Sequence, residues 1–482
     1  MRLLSFAAPL ALIAAPVGAQ DALKDEVTSI LDEAGPATSW GLMVTDGQGR
    51  EVLSIDPDKR FVPASNTKIF TTAAAMDAVA QGQLPEAAGT GARVRISRTG
   101  KAQDVILEGR GDPHLSAAPD CATDCLATLA DAVAKRTRRV RNVVGDAAAF
   151  PDQRWSPGMS WNNIPTRSGT GISALSIDDN EILASVAPGK LGELPAVTLP
   201  SYYSLMNLAT TVPGNKVELG YDRAPNGREL VLTGSIGVDA KPETLRLGVD
   251  DPAHYAAWRL AEMLRVRGVR VTGEVSSRYR PLLPSDDPAV RGDAPPVRVP
   301  AVAALAQVET PPIGETVRTV NKVSQNLYAE LLLRRTGCIR GTCSIADGQA
   351  AVTGMLVRAG VPEGTVSLSD GSGMSTYNRV TPRATVRLLD WVAGQAWGAE
   401  FRASLPVGGV DGTLSRRFAG TALAERIFAK TGTLNATNAL AGYMTGASGR
   451  ALTFAIYAND VPEAVRATQF MDRALLAIAA AN

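Results

Sequence analysis

The chain has 482 residues, with 49 basic and 48 acidic side chains and a formal net charge of +1. A nucleic-acid-binding protein normally carries a basic excess or a basic patch, so this balance argues against nucleic acid as a partner. With only two histidines in the sequence, a histidine-rich metal centre is excluded. A chain of this length rarely forms a single core, so about two or three domains are expected.

The first residues have the pattern of a secretory signal peptide. Arg2 precedes an apolar run over residues 3–14, and Val17-Gly18-Ala19 is a small-residue cleavage site. We expect cleavage after Ala19 and export of the mature protein; the alternative is a retained N-terminal anchor. No later stretch approaches the roughly 20 apolar residues of a membrane span, so we expect no transmembrane segment after removal of the signal.

Helix and strand patterns alternate at the start of the mature chain. A helix is predicted over Ala22–Glu33, and strands over Trp40–Val44 and Glu51–Ile55, joined by a turn at residues 46–49. From Lys68 onwards, apolar residues recur at helical spacing, which predicts a further helix.

The middle of the chain is rich in strands and turns. A helix is predicted over Pro252–Arg267, and the six prolines of residues 281–300 indicate a linker. Strands are predicted at Arg93–Ser97, Asp104–Glu108, Lys216–Gly220 and Glu229–Thr233.

Four cysteines form two close pairs, Cys121 with Cys125 and Cys338 with Cys343. In an exported protein, two local disulfides are the natural interpretation, and a zinc site that uses all four thiolates is the alternative. Residues four apart in a regular helix lie somewhat too far apart for a disulfide. We therefore expect the first pair in a turn or at the start of a helix.

The C-terminal part mirrors the N-terminal part. A strand is predicted over Ile427–Thr433, a hairpin from Ala439–Thr445 and Ala451–Ala458, and a last helix over Pro462–Ala480. Strands from both ends of the chain, with helices around them, indicate one sheet that is closed by both termini.

The first candidate catalytic motif is Ser65-Asn66-Thr67-Lys68. A serine hydroxyl is a poor nucleophile until a base takes its proton, and a lysine three residues later on a helix lies within reach of it. An ordinary lysine has a pKa of about 10.4, so Lys68 needs a pKa lower by roughly two to three units to act as that base. The alternative is a helix-capping serine followed by a solvated lysine.

The second motif is Ser324-Gln325-Asn326, just before a predicted helix. On a turn, both polar side chains can face one cavity. Ser324 can relay a proton between Lys68 and a leaving amine, while Asn326 can bind a substrate amide and hold Lys68 in place. The alternative is a capping serine with a nearby polar turn residue.

The third motif, Lys430-Thr431-Gly432-Thr433, lies on a predicted strand. Gly432 would leave room for a substrate chain to lie alongside as an added strand. Lys430 and the hydroxyls of Thr431 and Thr433 suit a terminal carboxylate, and Lys430 can also be a second cation that lowers the pKa of Lys68. The alternative is an ordinary edge-strand lysine.

In this order, the three motifs resemble the active-site set of penicillin-binding proteins and serine β-lactamases. Residues 69–323 separate the first two motifs, more than that fold needs. Together with the segments Gly109–Pro113, Asp370–Gly373 and Val410–Leu414, this insertion resembles class C low-molecular-mass penicillin-binding proteins, which are D-alanyl-D-alanine carboxypeptidases and endopeptidases. From its glycines alone, Asp370–Gly373 is predicted to be a structural turn near the site.

The resemblance implies an α/β (α+β) penicillin-recognising fold, as in serine β-lactamases and transpeptidases, split by two β-rich inserted domains. It also implies a periplasmic enzyme without cofactor or metal. Five segments follow: a signal peptide (1–19), the first catalytic part (20–90), inserted domains II and III (91–280), a linker (281–300) and the second catalytic part (301–482).

The resemblance also implies the reaction. Ser65 would attack the bond between two D-alanines at the end of a peptidoglycan stem peptide, and water would hydrolyse the acyl-enzyme. The backbone N–H groups of Ser65 and Thr433 would form the oxyanion hole. Penicillins and other β-lactams, which mimic the dipeptide, would inhibit the enzyme. Asp146 and Phe150 would help an inserted domain to face the substrate.

Two other functions remain as alternatives. A β-lactamase would use the same first and third motifs, but no Glu-x-x-Leu-Asn segment is present, and Ser324-x-Asn326 replaces a Tyr-x-Asn motif. A non-catalytic cell-wall or β-lactam-binding protein would have kept the fold alone. The intact Ser65, Lys68 and Lys430 argue against that second alternative.

Overall fold

A computed structural model describes residues 17–85, 91–99, 102–296 and 302–482 of the chain. The predicted signal peptide lies almost entirely outside these ranges, as does the end of the predicted linker. No helix within the described ranges is long and apolar enough to cross a membrane.

The helices are α1 (Val17–Asp32), α2 (Thr67–Ala80), α3 (Leu126–Arg136), α4 (Pro252–Val266), α5 (Pro288–Arg291), α6 (Ile313–Lys322), α7 (Asn326–Gly337), α8 (Ile345–Arg358), α9 (Pro382–Ala393), α10 (Gly398–Ser404) and α11 (Ala467–Ala481). The strands of the first and last parts are β1 (Ser39–Asp46), β2 (Glu51–Ile55), β17 (Val366–Ser367), β18 (Arg379–Val380), β19 (Ile427–Leu434), β20 (Thr437–Thr445) and β21 (Ala451–Asn459). Those between them are β3 (Arg93–Thr99), β4 (Ala102–Glu108), β5 (Arg139–Val140), β6 (Val143–Pro151), β7 (Glu181–Ala187), β8 (Ala196–Thr198), β9 (Ser204–Asn207), β10 (Thr210–Val212), β11 (Val217–Asp222), β12 (Glu229–Gly237), β13 (Glu243–Gly248), β14 (Arg270–Val271), β15 (Val275–Arg280) and β16 (Ala306–Gln307).

Strands from both ends of the chain form one antiparallel sheet, in the order β19-β20-β21-β1-β2. The central pairing joins β1 to β21, with Trp40 opposite Ala458. This confirms the sheet predicted from the two ends of the sequence.

Both faces of this sheet are covered, because successive side chains point to opposite sides. Leu42 and Ile456 pack in one apolar cluster with α1 and α11. The neighbouring Met43 and Tyr457 pack in the other cluster, with Phe70 of α2. Complete burial of such a side chain stabilises the fold by roughly 1.5–3 kcal/mol. Because both of its faces are packed in this way, the sheet is a rigid base for the segments at its edge.

The last helix begins later than predicted. Residues 462–466 form a turn in which the Val465 N–H donates to the Pro462 carbonyl at 2.9 Å. Arg466 has φ −96° and ψ 79°, which is not helical, and α11 starts at Ala467. The prediction that the helix begins at Pro462 is therefore wrong, because these turn residues precede the first helical backbone angles.

The inserted region contains a five-stranded sheet in the order β15-β6-β4-β3-β16, against which α4 packs. Smaller sheets contain β13-β7-β8 and β10-β12-β11, with β9 also paired to β12. The predicted linker contains the short helix α5, and the chain then pairs once more with the inserted sheet through β16 and β3. The five-segment division of the chain stays a prediction.

Both cysteine pairs form disulfides, Cys121–Cys125 with Cα atoms 5.7 Å apart and Cys338–Cys343 with Cα atoms 4.2 Å apart. Cys125 is the residue that precedes α3, so the first disulfide lies at a helix start, as expected. The two disulfides use all four thiols, which excludes the alternative of a four-thiolate zinc site.

Candidate active site

Ser65 lies in a single turn of 3₁₀ helix, Ala64–Asn66, that runs directly into α2. The turn is fixed from two sides. The Asn66 amide Nδ2 donates to the Lys430 carbonyl at 2.8 Å, which ties the turn to β19. On the other side, a Cβ at Gly373 would lie only 1.9 Å from the Ala64 carbonyl oxygen, so only glycine allows this close approach.

Lys68 lies one turn further on, with its Nζ 3.0 Å from the Ser65 Oγ. Its side chain is fully buried. The Nζ also donates to the Asn326 Oδ1 at 2.7 Å and to the Ser372 carbonyl at 2.5 Å. The structure therefore brings the first two motifs together around one amine.

Burial lowers the pKa of Lys68 to about 7, although the nearby Asp370 and Glu330 carboxylates act in the opposite direction. An exposed lysine is neutral in fewer than about one molecule in a thousand at pH 7, whereas Lys68 is neutral in a large fraction. Lys68 can therefore accept the proton of Ser65 near neutral pH.

Lys430 on β19 is also fully buried. Its Nζ donates to the Ser324 Oγ and to the Thr431 carbonyl, both at 2.9 Å. Burial, and then the charge on Lys68, lower the pKa of Lys430 well below that of an ordinary lysine. Lys430 and Ser324 thus form a second hydrogen-bonded group, close enough to Lys68 for the charges of the two lysines to interact.

The second motif does not cap α7 through its serine. The side chain of Gln325 caps α7 by accepting from the Leu327 N–H, while Ser324 has a left-handed backbone with φ 59°. This conformation turns the Ser324 hydroxyl to Lys430. The capping alternative for Ser324 is therefore wrong.

Asn326, the first residue of α7, contacts two parts of the chain. Its Oδ1 accepts from Lys68, and its Nδ2 donates at 3.1 Å to the carbonyl of Ser168, in the inserted region. Sequence reasoning had no signal for Ser168.

Two buried carboxylates organise the segment behind Lys68. Glu330 of α7 accepts from the Gly371 and Ser372 N–H groups at 3.0 and 2.8 Å. Asp370 accepts from the Gly373 N–H at 2.9 Å. Burial, and then the Asp370 charge, raise the pKa of Glu330 to about 7. The glycine-rich turn is thus near the site, as predicted, but the sequence indicated neither Glu330 nor the role of the Asp370 carboxylate within the turn.

Gly432 on the edge strand β19 lies against the nucleophile turn. A Cβ there would lie 2.7 Å from the Pro63 carbonyl oxygen and 3.1 Å from the Ser65 nitrogen. This contact gives Gly432 a role that differs from the predicted room for a substrate chain. Thr431 donates to the Thr413 hydroxyl at 2.7 Å, and Thr433 is exposed.

Asp146 lies apart from the hydrogen-bonded residues around Lys68 and Lys430. It is a buried residue of β6, where its carboxylate pairs with Arg278 and accepts from the Ala148 N–H at 3.0 Å. Phe150 is buried against Gly111. Their contact with substrate stays a prediction.

The fold is similar to that of solved structures of penicillin binding protein 4 (dacB) from Haemophilus influenzae. One such structure has a TM-score of 0.77 at 22% identity and covers 93% of this chain and 98% of its own. Another, complexed with a β-lactam, has a TM-score of 0.69 at 22% identity and covers 93% and 97%. This likeness confirms the penicillin-recognising fold class.

The D-Ala-D-Ala carboxypeptidase 3 (S13) family model matches residues 23–478, and the chain belongs to this family. It is 32% identical to a D-alanyl-D-alanine carboxypeptidase of Actinomadura sp. (strain R39), over 94% of this chain and 85% of the relative. It is 26% identical to the D-alanyl-D-alanine carboxypeptidase DacB of H. influenzae, over 82% and 80%. The chain is a serine-type carboxypeptidase, as the three motifs predict.

Proposed function

We propose that this carboxypeptidase removes the terminal D-alanine from peptidoglycan stem peptides through an acyl-enzyme on Ser65. The observation that carries the proposal is the 3.0 Å contact between the Ser65 Oγ and Lys68, a buried lysine whose pKa is lowered to about 7. A base and a nucleophile at hydrogen-bond distance are what acyl transfer without histidine requires.

In the acylation step, the Ser65 Oγ attacks the carbonyl carbon of the penultimate D-alanine while neutral Lys68 takes its proton. The backbone N–H groups of Ser65 and Thr433 would stabilise the oxyanion; one such donor is typically worth about a hundred- to a thousandfold in rate. The C–N bond then breaks, and the leaving amine takes a proton. Ser324, which accepts a hydrogen bond from Lys430 at 2.9 Å, would relay this proton from Lys68.

In the second step, water attacks the acyl-enzyme and Lys68 again acts as the base, so Ser65 is regenerated and the shortened peptide leaves. Thr431 and Thr433 would bind the terminal carboxylate of the incoming peptide, with the charge of Lys430 beneath them. A bound carboxylate favours the charged form of a nearby lysine, which offsets the effect of burial on Lys430.

We further propose that the protein works in the periplasm after loss of residues 1–19. The signal-like N-terminus and the two disulfides support this location, because disulfides persist in oxidising compartments. β-Lactams would act as inhibitors by acylating Ser65. The same chemistry would open D-alanyl cross-links between stem peptides. Activity should therefore be assayed on both an uncross-linked stem peptide and a cross-linked one.

Intact-mass spectrometry of the mature protein with penicillin tests the proposal, beside a Ser65→Ala variant. We expect a mass increase of one drug molecule on the wild type alone, lasting minutes to hours. Rapid loss of the adduct with drug turnover would indicate a β-lactamase instead. No adduct on folded wild-type protein would contradict acylation of Ser65 and leave a binding protein.

A further inference from the structure

An irregular segment of the inserted region, residues 153–169, crosses to the catalytic part and is called the strap below. It is held at three places. Arg334 of α7 donates to the Gln153 carbonyl at 2.7 Å, and the Thr376 N–H donates to the Gly158 carbonyl at 3.0 Å. The third contact is the bond from Asn326 to the Ser168 carbonyl.

The third contact determines which way the Asn326 amide faces. A backbone carbonyl can only accept a hydrogen bond, so the Asn326 Nδ2 must face Ser168. The two ends of the amide are opposite in hydrogen-bonding character. The acceptor Oδ1 is therefore left to face the Lys68 Nζ, 2.7 Å away.

This orientation matters for neutral Lys68, which has two N–H donors and one lone pair. The Asn326 Oδ1 and the Ser372 carbonyl take the two donors, so the lone pair is free to face the Ser65 Oγ. A reversed amide would present N–H groups to Lys68. These would compete with Ser65 for the lone pair and would repel the charged form of the lysine.

The strap turn that carries the Ser168 carbonyl is itself fixed. The Thr166 Oγ1 accepts from the Ser168 N–H at 3.2 Å and donates to the Asn163 carbonyl at 2.8 Å. The Trp155 Nε1 donates to the Gly169 carbonyl at 2.8 Å. A Cβ at Gly169 would lie 2.4 Å from the Asn163 oxygen, so the turn has little space to shift.

We propose that the strap turn Thr166–Gly169 is a positioning element of the active site, which orients the Asn326 amide and thereby the lone pair of Lys68. The inference rests on the proposed function of Lys68 as the base. The charged groups that face Lys68 from other elements are Glu330 of α7, Asp370 and Lys430 of β19, whereas the Thr166 hydroxyl bonds to Asn163 and Ser168.

The test compares Thr166→Val with Thr166→Ser and measures the rate of acylation by penicillin against pH. The valine is nearly isosteric but loses both hydrogen bonds, whereas the serine keeps them. For Thr166→Val we expect a plateau rate lower by about tenfold, part of the 10²–10⁴-fold typical of a general base. The pKa of the acid limb should also fall, because N–H groups then face the charged lysine. Thr166→Ser should restore both values.

A purely structural loosening predicts the opposite sign. Water entering the site would reduce the desolvation of Lys68 and raise the pKa of the acid limb. A rise in the pKa of the acid limb, or an unchanged pH profile, in folded Thr166→Val would overturn the inference. Thr233→Val is the control. The Thr233 hydroxyl lies on β12 and donates to the Gly220 carbonyl of the neighbouring strand β11, so its loss should leave the pH profile unchanged.

Two further measurements keep the test decisive. If Thr166→Val fails to fold, Trp155→Phe removes the bond to the Gly169 carbonyl and should give the same paired decrease in rate and pKa. If the wild type itself is not acylated, the proposed function fails. If the wild type is acylated and the strap variants match it, only the strap inference fails.

Discussion

Lys68 shows how two opposing effects set the pKa of one residue. Complete burial disfavours its charged form, while two buried carboxylates favour it, and the result lies near neutrality. The sequence alone predicts Ser65, Lys68 and the need for a lowered pKa, since the motif spacing places both side chains on one helix face. It does not predict Glu330, because an isolated glutamate in a helical pattern is more often solvated.

The acylation rate should therefore rise with pH through about 7 and then level off. Below that pH, Lys68 carries a proton and cannot accept another from Ser65, so the rate falls about tenfold per pH unit. Stopped-flow acylation by a chromogenic β-lactam measures this profile. A midpoint above 9 would show that burial does not lower the pKa of Lys68.

Lys68→Arg should reduce acylation by about 10²–10⁴-fold at every pH from about 7 up to 10, because a guanidinium keeps its proton there. Below about pH 7, where Lys68 is itself charged, the variant preserves the positive charge, so loss of charge cannot explain the effect there. Single-turnover acylation, with thermal unfolding as the control for folding, measures the loss. A rate within tenfold of the wild type would contradict the role of Lys68 as the base.

Glu330→Gln should move the acid limb of acylation to lower pH. The change removes a carboxylate that favours charged Lys68, while the amide oxygen can still accept from the Gly371 and Ser372 N–H groups. The pH profile of acylation measures the shift. An upward shift would mean that the loss of packing, and not the loss of charge, dominates.

At the scale of elements, close backbone contacts hold the nucleophile turn between β19 and the segment that follows α8. Gly432 and Gly373 both lie against the backbone of this turn, and neither leaves space for a side chain. Strand and helix patterns predict β19 and the start of α2 to within one residue. The strap was not predicted, since its 3₁₀ turns and irregular backbone have no periodic pattern.

Gly373→Ala should destabilise the fold more than Gly364→Ala. Both glycines have left-handed backbones, with φ 86° and 78°, which cost an alanine roughly 1–2 kcal/mol. Only at Gly373 would the new Cβ also collide with backbone, at the Ala64 carbonyl; at Gly364 it meets nothing within 4 Å. Urea unfolding of both variants measures the difference, and equal losses would contradict the close contact.

At the scale of the whole molecule, a buried acid pair links stability to pH. Asp124 lies inside the Cys121–Cys125 disulfide loop, and burial, followed by the Asp112 charge, raises its pKa to about 8. The folded state therefore holds a proton that the unfolded state releases near pH 4. The contribution of Asp124 to the free energy of unfolding is therefore greatest below about pH 4 and is lost as the pH rises towards 8.

Asp124→Asn should remove this part of the pH dependence. The amide stays neutral, so the variant gains free energy of unfolding over the wild type as the pH rises from 5 to 8, by at most about 1.4 kcal/mol per unit. Urea unfolding across that range measures the difference. A constant difference between the two proteins would show that Asp124 is ionised throughout.

The sequence could predict that both ends of the chain share a sheet, but not that residue 168 touches residue 326. Motif and strand patterns are local, whereas this contact spans 158 positions and depends on how the inserted region folds back. The same limit explains why only the family resemblance, and no local pattern, points to Asp146.

The pairing of β1 with β21 also sets an order of events during synthesis. A ribosome releases Ser65 and Lys68 early, but β19 and the strand pairs that support it come from the last part of the chain. Domains fold only once their parts have emerged. A nascent or prematurely terminated polypeptide that stops before β19 therefore carries the nucleophile without Lys430 or a closed sheet, so activity requires the strands β19 to β21 as well as the N-terminal motif.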